Sequence, residues 1–157
     1  MKNIQGILKA KHILSMMLIG VLSLSLVSCD NDDDPVRSIE YTLNAVAVPD
    51  ISGTATFTEL EDGSTQVVVS LQNTPAGGSH PGHIHIGSAA VGGGIAISLT
   101  AVDGATGMST TIITMQNDQT PISYEELLSF DGYINIHLSS NELGTIVAQG
   151  NIGSNVQ

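Results

Sequence analysis

The chain is 157 residues long and strongly acidic, with 15 Asp and Glu against 4 Lys and Arg. Lys2, Lys9 and Lys11 stand near the N-terminus, so every later residue shares Arg37 as its sole cationic side chain, histidines aside. Such a surface repels phosphate backbones, which excludes nucleic-acid binding and leaves cations or a cationic partner as favoured company.

In chain order, the three lysines form a basic head, and Ile13 through Val27 form an apolar stretch interrupted by Ser15, Gly20, Ser23 and Ser25. A stretch of that length, with small residues before a cut site, predicts a secretory signal over residues 1–28 in place of a spanning helix. The run Leu26-Val27-Ser28-Cys29 closes the segment with the only cysteine of the chain. A lone cysteine in an exported protein has no internal disulfide partner. The pattern resembles a bacterial lipoprotein signal, which implies that Cys29 is lipidated and becomes the first residue of the mature chain. Each buried acyl CH₂ contributes roughly 0.8 kcal/mol, so several acyl chains anchor a protein on a membrane effectively permanently.

Asp30-Asn31-Asp32-Asp33-Asp34-Pro35 follows. An acidic run this dense cannot bury itself, and residues 29–38 are expected to be a solvated tether. The run also resembles the export signal of surface-exposed lipoproteins in some Gram-negative bacteria, which implies the outer membrane and its outer face. A calcium loop fits poorly, because Pro35 stands where an EF-hand needs glycine.

Residues 39–157 read as one all-β domain. Strands are expected at Ile39–Val48, ended by Pro49, then at Gly53–Leu60, Thr65–Gln72, His83–Gly87, Ile95–Thr100, Met108–Thr114, Gly132–Leu138 and Thr145–Ile152. Glu61-Asp62-Gly63-Ser64 is a hairpin signal, since Gly63 accepts the positive φ of a tight turn. Ser123-Tyr124-Glu125-Glu126 is a capping box opening one short helix, with Leu127, Leu128 and Phe130 as its apolar patch. About eight strands with Gly-rich connections predict an antiparallel, Greek-key-like β-sandwich, one end of which the helix plugs. With no Trp, two Phe and three Tyr, the core is built from Val, Ile, Leu and Ala and offers little aromatic surface for stacking sugars or bases.

Four histidines fall in this domain: His80, His83, His85 and His137. Alternation along a strand places the rings of His83 and His85 on one face and Ile84 and Ile86 on the other. In the later strand Tyr133, Asn135 and His137 share a face opposite Ile134, Ile136 and Leu138. Were the two strands neighbours, His83, His85, Asn135 and His137 would form one polar patch with isoleucines behind it. Histidines two apart on a strand make a bidentate start for copper or zinc, with His80 or His137 as the third ligand. The same rings can instead hydrogen-bond to backbone carbonyls or to Asn135, with no metal. No residue pattern points to catalysis: Ser79-His80 has no nucleophile elbow around it, and Glu59, Glu61 and Asp62 read as a solvated hairpin tip.

Pro81-Gly82-His83-Ile84-His85-Ile86-Gly87, then Gly94-Ile95-Ala96-Ile97-Ser98-Leu99, resembles the central signature of the CHRD domain, first described in chordin. The likeness continues through Gly132-Tyr133-Ile134-Asn135-Ile136-His137, Asn141, Gly144 and Ile146-Val147-Ala148-Gln149-Gly150, and spans about Ile39 to Ile152. It implies a β-sandwich of binding or structural type, with no established activity. Gly144-Thr145-Ile146-Val147-Ala148-Gln149 departs from the family's Gly-Glu-Ile-Arg-Gly-Gln, so no role of that Glu or Arg carries over. A more distant resemblance is to copper/zinc superoxide dismutase, which has a His-x-His strand, an eight-stranded Greek-key sandwich and a later copper-binding histidine; His83, His85 and His137 map onto copper positions. Between His85 and His137 there is neither His nor Cys, so the bridging imidazole, the zinc histidines and the disulfide pair have no counterpart. Positive guidance for superoxide is missing as well. That resemblance implies shared architecture without dismutase activity.

Overall fold

The computed structural model describes residues 35–48 and 50–156. The proposed leader, Cys29, the acidic run through Asp34 and the strand-ending Pro49 lie outside the described residues. Among the described residues no helix is long and apolar enough to cross a membrane.

Eight strands and one helix follow in order: β1 (Ser38–Ala45), β2 (Ser52–Glu59), β3 (Thr65–Gln72), β4 (Ser79–Ile86), β5 (Ile95–Asp103), β6 (Met108–Ile113), α1 (Tyr124–Leu128), β7 (Asp131–His137) and β8 (Ile146–Gly153). All neighbours pair antiparallel. The β2–β3 hairpin turns at Gly63, whose φ is +79°, as the turn chemistry requires. β4 begins four residues before the expected His83, because Ser79 and His80 already pair with Asp103 and Val102.

The spatial order is β1-β2-β3-β6-β5-β4-β7-β8, closed between β8 and β1. The expected two-sheet sandwich is therefore a single closed barrel. Its two thinnest joints explain the difference. β5 meets β6 through the pair Asp103↔Met108, and β1 meets β8 through Asn44↔Gln149 and Ala45↔Ala148. Two further bonds, Val46 N–H to Val147 O and Ala47 N–H to Ile146 O, extend the second joint. These few bonds leave no free sheet edge, the feature that exposes β proteins to edge-to-edge association. They come from strand ends, where an alternation pattern carries no signal. β4, β5 and β6 are successive hairpin neighbours, and β7 returns to lie beside β4 while β3 lies beside β6, two overlapping Greek-key windings.

The core is aliphatic, as the composition demands. Leu43, Ala55, Phe57, Val67, Ile84, Val102, Ile134, Ile136, Val147 and Ile152 are fully buried, and Tyr41 meets Phe57 edge-on at 5.2 Å between ring centres. In α1 the Ser123 side chain accepts from the Glu126 N–H while the Glu126 carboxylate accepts from the Ser123 N–H at 2.8 Å. Leu127 enters the core, with Leu128 and Phe130 packed against it. Arg37, just before β1, pairs with Glu59 at 2.9 Å and with Glu125, and its guanidinium lies over the Tyr124 ring. This ties the start of the domain to α1.

Two substitutions separate core from cap. Phe57→Ala should cost about 3–5 kcal/mol and Ser123→Ala about 1 kcal/mol in urea unfolding. Equal losses would mean that the ring is not a keystone of the interior.

Candidate metal centre

β4 runs between β5 and β7, and its pairing with β7 builds the site. The register places His83 opposite Asn135 and His85 opposite Tyr133. Because side chains alternate, Ile84, Ile134 and Ile136 point into the barrel and the histidines point out. The outward face of β7 is nevertheless covered. Tyr133, Asn135 and His137 are each less than 7% exposed.

The cover comes partly from the segment joining β4 to β5. Ala89 N–H donates to Asn151 Oδ1 at 2.9 Å, Ile86 N–H donates to Gly94 O at 2.9 Å, and Gly93 presents its carbonyl to His85 Nδ1 at 3.0 Å. A Cβ on Gly93 would stand 1.8 Å from the Ile86 carbonyl oxygen, so only glycine brings the chain this close. His85 in turn stacks on Tyr133 with ring centres 4.9 Å apart.

His83, His85 and His137 converge. One nitrogen of each lies within 4.8 Å of the others, the one such cluster of metal-capable side chains among the described residues. His83 Nδ1 stands 3.1 Å from His137 Nε2, which closes a hydrogen bond when one of the two carries a proton. Two nitrogens bound to one zinc ion at about 2.0–2.1 Å stand only slightly farther apart. His85 donates from Nδ1 to a carbonyl, so its lone pair is on Nε2, and that atom is buried without a partner. His137 presents Nε2 to His83, and its Nδ1 is buried with the Leu143 backbone beside the ring. A carbonyl that fixes the tautomer of an imidazole and leaves the other nitrogen free is the usual support around a metal-ligating histidine. The residues therefore fit copper or zinc.

Two other expected members take different places. Asn135 lies beside His83, but its Oδ1 accepts from Gln149 Nε2 at 2.7 Å and serves the β7–β8 pair. His80 is 1% exposed on the opposite, interior side of β4, where its Nδ1 is 3.2 Å from the His137 carbonyl. It is not among the clustered rings. Counting residues did not reveal the Gly93 carbonyl or the covering of His137, since both come from loops folding back. The run Gly92-Gly93-Gly94 was the available signal.

Burial and mutual repulsion favour the neutral form of His83 and His137. The pKa of His83 is lowered first by burial and then by the charges of His137 and His85. That of His137 is lowered first by burial, which the Leu143 backbone opposes in part, and then by the charge of His85. Neutral imidazole is the metal-ligating form. No family model matches this chain, and no curated protein matches it significantly.

The unfolded chain takes up protons on these two histidines near the ordinary 6.5, and the folded protein only at lower pH. Their linkage leaves metal-free stability at its full value above that point and erodes it as pH falls below it. Melting temperature measured from pH 8 to 5 should fall on the acid side of 6.5 and flatten in the double variant His83→Gln/His137→Gln. An identical slope in that variant would place the titrating group elsewhere. Gly93→Ala should lower stability by about 1–3 kcal/mol through overpacking, read by urea unfolding.

Proposed function

We propose that this protein is a lipid-anchored, CHRD-like module of the bacterial cell envelope that binds copper or zinc through His83, His85 and His137. The observation that carries the reading is the convergence of three imidazole nitrogens within 4.8 Å. His83 Nδ1, His85 Nε2 and His137 Nε2 are the donors that face one another or stand free. Three protein nitrogens are the set found in open zinc centres, and imidazole suits both metals. When bound, the ion supplies Lewis acidity or, as copper, an accessible redox couple. The chain's own contribution is to gather three rings, favour the neutral form of His83 and His137, fix the tautomer of His85 through Gly93 and bury His137. The acidic surface concentrates cations around the site.

The anchoring half rests on Leu26-Val27-Ser28-Cys29 behind a basic and apolar head, and the outer-membrane, surface-exposed location on the acidic run after it. The CHRD likeness rests on the ordered motif pair, and the distant kinship with the superoxide dismutase sandwich on the His-x-His strand of His83 and His85 and the later His137. A purely structural reading draws on the 3.1 Å contact between His83 and His137, which is satisfied without metal.

Titration of the purified protein with Zn²⁺ and Cu²⁺ should give one ion per chain, and His83→Ala or His85→Ala should weaken binding by more than about 100-fold, beyond the loss usual for supporting residues. At free metal about 100 times Kd the wild type gains roughly 2.7 kcal/mol, so chelation lowers its melting temperature and leaves the variants unchanged. Sub-stoichiometric metal, or equal occupancy in the variants, establishes the structural reading instead. Cys29→Ala should abolish globomycin-sensitive processing and membrane partitioning; their persistence would remove the lipid anchor.

A further inference from the structure

His80 is a histidine that the three-ring cluster does not use, and its surroundings are specific. It is fully enclosed on the inner face of β4, and its Nδ1 stands 3.2 Å from the backbone oxygen of His137. That oxygen has lost its ordinary donor, as the ladder shows. Antiparallel partners exchange hydrogen bonds at every second residue. Gly87 N–H donates to Asp131 O at 2.9 Å, which puts the hydrogen-bonded positions of β7 toward β4 at 131, 133, 135 and 137. Stepping the register one residue past Gly82↔Ile136 brings Pro81 opposite His137. Proline has no N–H to give. Inside a sheet such a residue leaves a carbonyl without its ladder bond, and β4 is flanked on both sides.

We infer that His80 is a positioning residue for the metal centre: its Nδ1–H replaces the main-chain donor that Pro81 lacks and holds the backbone of His137, and with it the ring beside His83. The tautomer follows from the partner, since a carbonyl oxygen only accepts. The lone pair then falls on Nε2, which is buried with no partner. Gly78 packs against that edge of the ring, where a Cβ would come within 2.8 Å of Nε2. His80 is thus enclosed from behind and hydrogen-bonded in front. The need is local. β7 pairs with β4 no further than Ile136, and the β7–β8 register slips between Ile136 and His137. At His137 both flanking ladders are irregular, and a side chain supplies what the main chain cannot. The two faces of β4 are coupled in this way: an interior imidazole sets the position of an exterior one.

The inference rests on the metal reading proposed above, and the test separates the two. In the full-length protein in detergent, with Zn²⁺ as probe, His80→Leu removes the donor at similar volume. His80→Asn keeps a donor, because its amide nitrogen occupies nearly the place of Nδ1. Pro81→Ala in the His80→Leu background returns the main-chain N–H. The expected pattern is a loss of zinc affinity of about 10–100-fold for His80→Leu, the range for supporting residues. His80→Asn and His80→Leu/Pro81→Ala should recover to within a few-fold of wild type. Val69→Ala, a remote core change that lowers melting temperature, should leave affinity unchanged and so control for general destabilisation. Wild-type affinity in His80→Leu, or the same loss in the Asn variant and no recovery with Pro81→Ala, overturns the positioning role while the metal centre stands. A wild type that binds no zinc overturns the metal reading, and with it the placement of a ligand by His80.

Discussion

The register between β4 and β7 is the constraint on which the rest of this structure depends. A slip of one residue would turn every side chain of one strand to the opposite face. With His83 opposite Asn135, Ile84, Ile134 and Ile136 enter the interior, and three imidazoles meet outside. The aliphatic interior enforces this pairing. A one-residue slip would bury an imidazole in place of an isoleucine, and that loss of apolar burial, together with an unpaired polar ring, costs several kcal/mol. The site is therefore held by the core behind it, and its histidines need no contribution of their own to stability.

The outward face would be an ordinary wet surface without the segment between β4 and β5. Gly93 brings a carbonyl onto His85, Asn151 anchors Ala89, and Gly92 packs beside the Tyr133 hydroxyl, while His137 has the Leu143 backbone of the β7–β8 connection beside it. Covering changes the chemistry of the rings. At His83 and His137 burial and the charge of neighbouring rings both disfavour the charged form. For His83 and His137 the environment thus favours the neutral form, which is the one that binds a metal ion. Pro81 adds a local fault in the ladder beside this site, and the inner histidine faces the carbonyl that the fault leaves open.

Charge sets the wider context. Among the described residues Arg37 is the one guanidinium, and it is committed to Glu59, Glu125 and the face of Tyr124. No lysine or arginine is left to draw an anion to the domain, whereas carboxylates around the barrel favour the approach of cations. On the proposed reading the domain sits on a membrane through acyl chains and gathers metal ions by long-range attraction. Short-range selection then falls to imidazole nitrogens, which suit copper and zinc better than the hard cations that carboxylates prefer.

Local rules determined much of this protein from its sequence alone. Period-two alternation set the strands and sorted Ile84 from His83 and Ile134 from Asn135; Gly63 set a hairpin; Ser123 and Glu126 set a helix start. These features depend on a few consecutive residues, so they can be read along the chain. Tertiary structure alone decided the closure of the barrel, because its two thin joints use strand ends where alternation has no length to register. It also decided which histidines belong together. His80 lies three residues from His83 yet faces the other way, while His137, far along the chain, is brought to 3.1 Å by strand pairing. Proximity of that kind is a property of register and of loops folding back, and neither is encoded in the spacing of residues along one strand.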